Sequence, residues 1–164
     1  MSSATAIPPT SMPSTDRFPI APWDEASLVQ WPDMDAHHLH LVSLLERVPH
    51  TADDDLMPLW AHILHSTIEH FGDEDRWMQE TDFPAQHCHM GQHALVLDML
   101  REVEARGHGG DLEIVRHMAH ELSNWLPQHI DMMDAGLALH LQRLQAGHAP
   151  DVDAHTCGSE SSCG

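Results

Sequence analysis

The stretch from Asp54 to Glu80, DDLMPLWAHILHSTIEHFGDEDRWMQE, decides the fold. Leu56, Leu59, Trp60, Ile63, Thr67, His70, Glu74 and Trp77 recur at spacings of three and four, which lines them up on one stripe of an α-helix. A carboxylate at Asp54 or Asp55 can cap the free N–H groups at the start of this helix, and Pro58 falls in its first turn. The stripe begins apolar, but its second half carries His70 and Glu74, one turn apart and therefore about 6 Å from each other on the same face. An imidazole and a carboxylate on a core-facing stripe need partners inside the core.

Matching stripes lie on either side. One runs from about Asp35 to Val48 through Leu41, Leu44 and Leu45, and Pro49 stops it. Another opens after Pro84 and shows Met90, Val96, Leu97, Leu100 and Val103 before the break at Gly107 to Gly110. The last begins at Asp111 and uses Val115, Met118, Leu122, Trp125 and Leu126. Four amphipathic helices joined by short loops predict an all-α fold, an up-down-up-down four-helix bundle over residues 23–146. Residues 1–22 carry Pro8, Pro9, Pro13, Pro19 and Pro22 and read as an extended N-terminal arm. Residues 147–164 are too polar to pack and read as a disordered C-terminal tail.

Composition narrows the chemistry. The 164 residues hold 7 Lys and Arg against 26 Asp and Glu, a formal charge of -19, which excludes nucleic acid as a partner because a phosphate backbone is bound through basic side chains. No uninterrupted apolar run approaches the about 18 residues of a membrane span, and the N-terminus lacks the charged and apolar regions of a secretion signal. A cytoplasmic monomer with no membrane partner is expected. The 3 cysteines, Cys88 in the body and Cys157 and Cys163 in the tail, do not make a disulfide framework. The 17 histidines are the unusual entry in this composition, since imidazole is a common ligand for borderline metals.

Histidines fall on the inward stripe of every helix. His38 is in register with Leu41, Val42 and Leu45, His70 pairs with Glu74, His89 pairs with His93 at i, i+4, and His129 continues the stripe of Met118, Leu122 and Leu126. One such histidine is ordinarily a hydrogen-bonded core residue, but five imidazoles and a carboxylate in one buried layer would compete for few partners unless a metal satisfied them. Asp134 follows His129 by five residues, which turns it about 140° away on a straight helix. Spacing alone leaves it either a solvated acid or a ligand on a distorted helix. Pro127 cannot donate to the carbonyl of Ser123, and a π-type turn beyond it would bring His129 and Asp134 onto one face.

Four motifs in order, Asp35-Ala-His-His38-Leu-His-Leu41, His70-Phe-Gly-Asp-Glu74, His89-Met-Gly-Gln-His93 and Trp125-Leu-Pro-Gln-His129-Ile-Asp-Met-Met-Asp134, resemble those of the hemerythrin family in its single-domain bacterial form, over about Trp23 to Leu144. The resemblance implies two iron ions with an oxo or hydroxo bridge. His89, His93 and His129 would bind one, His38 and His70 the other, and Glu74 and Asp134 would span both. Counting five imidazole nitrogens, four carboxylate oxygens and a bridge shared by both metals gives about eleven bonds, against about twelve for two octahedral irons. One position stays open, on the iron with two histidines. The function implied is reversible O2 binding, for carriage, storage or delivery, with O2 as ligand and no enzyme activity. The alternatives are an O2 or redox sensor signalling through its tails and a di-iron enzyme acting on peroxide or nitric oxide. In the family a leucine three residues before the fourth-helix histidine lines the O2 pocket, which implies Leu126 here with Trp125 beside it. Trp31 stands where the family usually has a smaller apolar residue and is expected to shape that pocket. His37, His40, His62, His65, His87, His117 and His120 are expected in solvent.

Overall fold

The computed structural model describes residues 17–147. The arm expected over residues 1–22 lies outside them up to position 16, and the tail expected over residues 147–164, with Cys157 and Cys163, lies outside them from position 148. Among the described residues there is no strand. The main helices are α1 (Pro32–Leu45), α2 (Asp53–Glu80), α3 (Gln86–His108) and α4 (Leu112–His129), followed by a π turn (Ile130–Asp134) and α5 (Ala135–Gln145). The π turn joins α4 and α5 into the fourth rod of the bundle. Successive helices pack side by side and α1 closes the ring against α4, which is the four-helix bundle that the stripes predict.

The helix boundaries follow local chemistry with two differences. The first helix opens at Pro32, whose fixed φ suits a first turn, and ends at Leu45 rather than Val48. Val48–His50 instead forms a separate 3-10 turn, held in place by the buried Arg116 of α4, which donates to the carbonyls of Val48 (2.7 Å) and Thr51 (2.8 Å). The second helix opens at Asp53 with Ala52 at its N-cap, so it lacks the carboxylate cap expected of Asp54 or Asp55, and Pro58 falls inside the helix rather than in its first turn. The Asp53 carboxylate accepts from the same guanidinium at 2.8 Å. Three aspartates in its first turn still complement the positive end of the helix dipole. Asp111, where the fourth helix is expected to begin, stands just before it and caps α4, accepting from the Ile114 N–H at 3.2 Å. Just before it Gly110 turns the chain at φ 96°, a conformation that a side chain would oppose.

The interior has three layers, and they position the site. A large apolar cluster, including Leu41, Trp60, Ile63, Phe71, Val96, Leu100, Val115 and Leu126, fills one end, and a smaller one of Met34, Met78, Phe83, Leu137, Ala138 and Leu141 fills the other. Burying each of the larger side chains contributes about 1.5–3 kcal/mol. On each rod a buried ionisable residue lies between the two clusters, as with His38 between Met34 and Leu41 on α1 and Glu74 between Phe71 and Met78 on α2. Trp77, expected on the buried stripe, is half-buried, and Met78 takes the interior place beside it. Residues leading into α1 lie along α4, where the Ala21 N–H donates to Ser123 Oγ at 3.0 Å and His120 Nδ1 bonds to the Pro19 carbonyl.

Close approach makes one glycine necessary. A Cβ at Gly107 would sit 2.5 Å from Met57 Sδ and 2.8 Å from Val115 Cγ2. Overpacking costs about 1–3 kcal/mol, while alanine returns about 1 kcal/mol of helix preference, so Gly107→Ala is expected to lower the urea midpoint by a net loss of up to about 2 kcal/mol. A raised midpoint would mean that Met57 swings aside freely.

Candidate metal centre

Each rod contributes to the polar layer. α1 supplies His38, α2 His70 and Glu74, α3 His89 and His93, α4 His129, and the π turn Asp134. All are buried, and none is more than 2% exposed. The i, i+4 pairs on α2 and α3 meet in the layer, where Glu74 Oε2 lies 3.4 Å from His89 Nε2 and 3.2 Å from His93 Nε2. Asp134 reaches the layer through the π turn, in which the Ala135 N–H donates to the Ile130 carbonyl five residues back. That extra residue turns Asp134 onto the face of His129, and its Oδ1 lies 3.1 Å from His129 Nε2. The distortion beyond Pro127 that the sequence suggested is therefore present.

Two donor groups result. In the first, Glu74, His89, His93, His129 and Asp134 each place a ligand atom within 4.8 Å of the others, and in the second His38, His70, Glu74 and Asp134 do the same. Separations in the five-residue group are short: His89 Nε2 to His129 Nε2 3.2 Å, His93 Nε2 to His129 Nε2 3.3 Å, His93 Nε2 to Glu74 Oε2 3.2 Å and His89 Nε2 to Asp134 Oδ1 3.0 Å. Neighbouring ligands on an octahedral ion with bonds of about 2.1 Å lie about 3.0 Å apart, so these are the edges that such an ion needs. In the four-residue group His38 Nε2 is 3.0 Å from Asp134 Oδ2 and His70 Nδ1 is 3.7 Å from Glu74 Oε1.

The residues fit a metal on a further ground. Both oxygens of Glu74, Oδ1 of Asp134 and both ring nitrogens of His70 are buried without a hydrogen-bond partner, a heavy cost in a dry interior unless a cation satisfies them. Their electrostatics agree. Burial and the nearby Asp134 push the Glu74 carboxyl up, but His70, His89 and His93 outweigh them and hold it down at about 2. Asp134, despite its burial, is held well below the usual carboxylate range by His129, His38 and His89. Burial lowers His70 to about 4 against the pull of Glu74, so the neutral ring keeps one nitrogen lone pair for a cation. Burial also pulls on His89, yet the Asp134 and Glu74 carboxylates beside it lift it to about 9. The cage thus holds a proton that an incoming cation would displace.

The family model of the hemerythrin HHE cation binding domain matches residues 31–140. The chain belongs to the hemerythrin family. A bacteriohemerythrin of Ralstonia nicotianae is 38% identical to it over 118 residues, which cover 71% of this chain and 85% of that relative. The hemerythrin match spans all four rods and every residue of both donor groups.

In this hemerythrin domain the remaining candidates separate. Leu126 is buried in the larger apolar cluster, and Trp125 stacks on His129 with centroids 4.3 Å apart. Trp31 packs against the smaller cluster and meets Trp77 edge-on at 6.2 Å. His37, expected in solvent, is half-buried, bonds Asp73 at 3.0 Å and stacks on His70 at 5.5 Å. Sequence reasoning passed over three residues. His140 is buried and bonds the Thr81 carbonyl at 3.3 Å. Asp75 Oδ1 lies 2.8 Å from His93 Nδ1, and Gln92 Oε1 lies 3.2 Å from His129 Nδ1. The signal for Asp75 was its place one residue after Glu74 and four after Phe71. Gln92 gave no sign, because its partner is on another helix. No helix among the described residues is long and apolar enough to cross a membrane.

Proposed function

We propose that this hemerythrin binds O2 reversibly at a pair of irons held by His38, His70, Glu74, His89, His93, His129 and Asp134. The observation that carries the reading is the inequality of the donor groups, five residues against four, with Glu74 and Asp134 common to both. Shared carboxylates hold two cations side by side, and the shorter group leaves one more position for an outside ligand. The family's cation-binding description and the relative's name support iron and O2. When bound, a ferrous pair supplies the two electrons that reduce O2 and takes them back on release.

The chain's own residues keep that exchange reversible. Met34 and Leu41 flank His38, and Phe71 lies against His70 (5.3 Å) and His93 (3.9 Å), so the cage meets apolar and aromatic surface rather than water. Leu126, a turn from His129, is only 1% exposed and keeps the larger cluster closed over the cage. A dry, preorganised cage limits the proton leakage that would otherwise consume reduced oxygen.

The test is anaerobic ferrous protein mixed with O2 in a stopped-flow spectrophotometer, beside a metal count on the same sample. The expected result is a visible absorption band that rises on mixing and disappears on degassing, over several cycles, in protein with an iron pair per chain. Oxidation in one turnover, without recovery, overturns the reading.

A further inference from the structure

Phe71 and Asp75 repeat on α2, one residue along, the i, i+4 spacing of His70 and Glu74, and both reach His93 on α3. The Phe71 ring lies flat on the imidazole, with centroids 3.9 Å and planes 6° apart. Asp75 Oδ1 is 2.8 Å from Nδ1, while Nε2 faces the donor group, 3.2 Å from Glu74 Oε2. An ionised carboxylate only accepts hydrogen bonds, so Nδ1 carries the proton and Nε2 presents its lone pair inward. The other histidines are held less firmly. His129 has the neutral amide oxygen of Gln92 at 3.2 Å, and Nδ1 of His38 and of His89 has no partner. Among the described residues, no other carboxylate outside the two donor groups is hydrogen-bonded to one of the seven.

We propose that Asp75 is a positioning residue for the five-donor group, fixing His93 in the tautomer that points Nε2 inward and making that group the tighter of the two metal positions. The inference rests on the di-iron reading above. A carboxylate behind a ligand imidazole fixes its ring, raises its basicity and is worth about 10- to 100-fold in metal affinity. The four-donor group has no such support on His38 or His70, so its metal is the first to leave.

The experiment follows iron release from the iron-loaded full-length protein into a ferrous chelator under argon. Wild type is expected to release in two phases. In Asp75→Ala the slow phase accelerates about 10- to 100-fold while the fast phase keeps its rate. Asp75→Asn, which keeps an acceptor oxygen, falls between them. Asp75 is 31% exposed, so its removal opens no cavity, and circular dichroism should show equal helicity. In zinc-loaded protein, 15N-resolved NMR should show a protected His93 Nδ1–H resonance that is lost to exchange in Asp75→Ala. A merely structural residue would not move that signal. Wild-type release rates in Asp75→Ala, or equal acceleration of both phases, overturn the proposal. A wild type that holds fewer than two irons brings down the di-iron reading and this inference together.

Discussion

A Glu74→Ala chain is expected to hold neither metal, whereas His38→Ala is expected to lose one and keep the other. Glu74 is buried, belongs to both donor groups and has no hydrogen-bond partner among the described side chains, so its removal subtracts a ligand from each position at once. The loss per site should exceed the about 100-fold that follows removal of an outer partner, because a bonded ligand is gone. His38 belongs only to the four-donor group, and without it the five-donor group keeps every member. Metal analysis after desalting reads both variants. Thermal unfolding gives a second reading, since a ligand at about 100 times its Kd adds about 2.7 kcal/mol to the folded state. Glu74→Ala should therefore show the melting temperature of metal-free protein whether or not iron is added. The shared-carboxylate arrangement falls if Glu74→Ala keeps the same metal content as His38→Ala.

What was legible in the sequence is what a single helix dictates. The stripe from Leu56 to Glu74 and the pairs His70 with Glu74 and His89 with His93 lie within one element, so spacing alone placed them on one buried face. What was illegible depends on a neighbour. The separate turn at Val48–His50 is held by Arg116, far along the chain, which donates to the carbonyls of Val48 and Thr51. His37 carries the same apparent polarity as His40, yet Asp73 and the ring of His70 draw it partly inside. The partner of Asp75, His93, lies on α3, so nothing within α2 names that partner. Asp134 lay between these cases. Its offset argued against one face and Pro127 argued for a distortion, and only a helix of known shape decides between them.

Inserting one alanine after Met132 should therefore abolish the paired metal site, and deleting Met132 should leave it intact. On a regular α-helix five residues turn about 500°, which leaves Asp134 about 140° from His129, but four residues turn about 400°, which leaves it about 40° away. The π turn absorbs the fifth residue, and deletion removes it, so both place Asp134 toward His129. Leu137, Ala138 and Leu141 follow Asp134 in fixed helical register and fill the smaller cluster, so whatever keeps the ligand in place keeps them in place too. Met132 is 74% exposed, and its loss costs no core contact. An insertion instead adds about 100° to everything downstream. It carries Asp134 out of both donor groups and the two leucines off the cluster, a loss of about 3–6 kcal/mol from burial alone. The insertion variant should show reduced metal content and an early, broad melt, while the deletion variant keeps its metal, its helicity and a single transition. If deletion removes the metal at unchanged helicity, the π turn does more than take up a residue: its own backbone sets the height and angle at which the Asp134 carboxylate enters the cage.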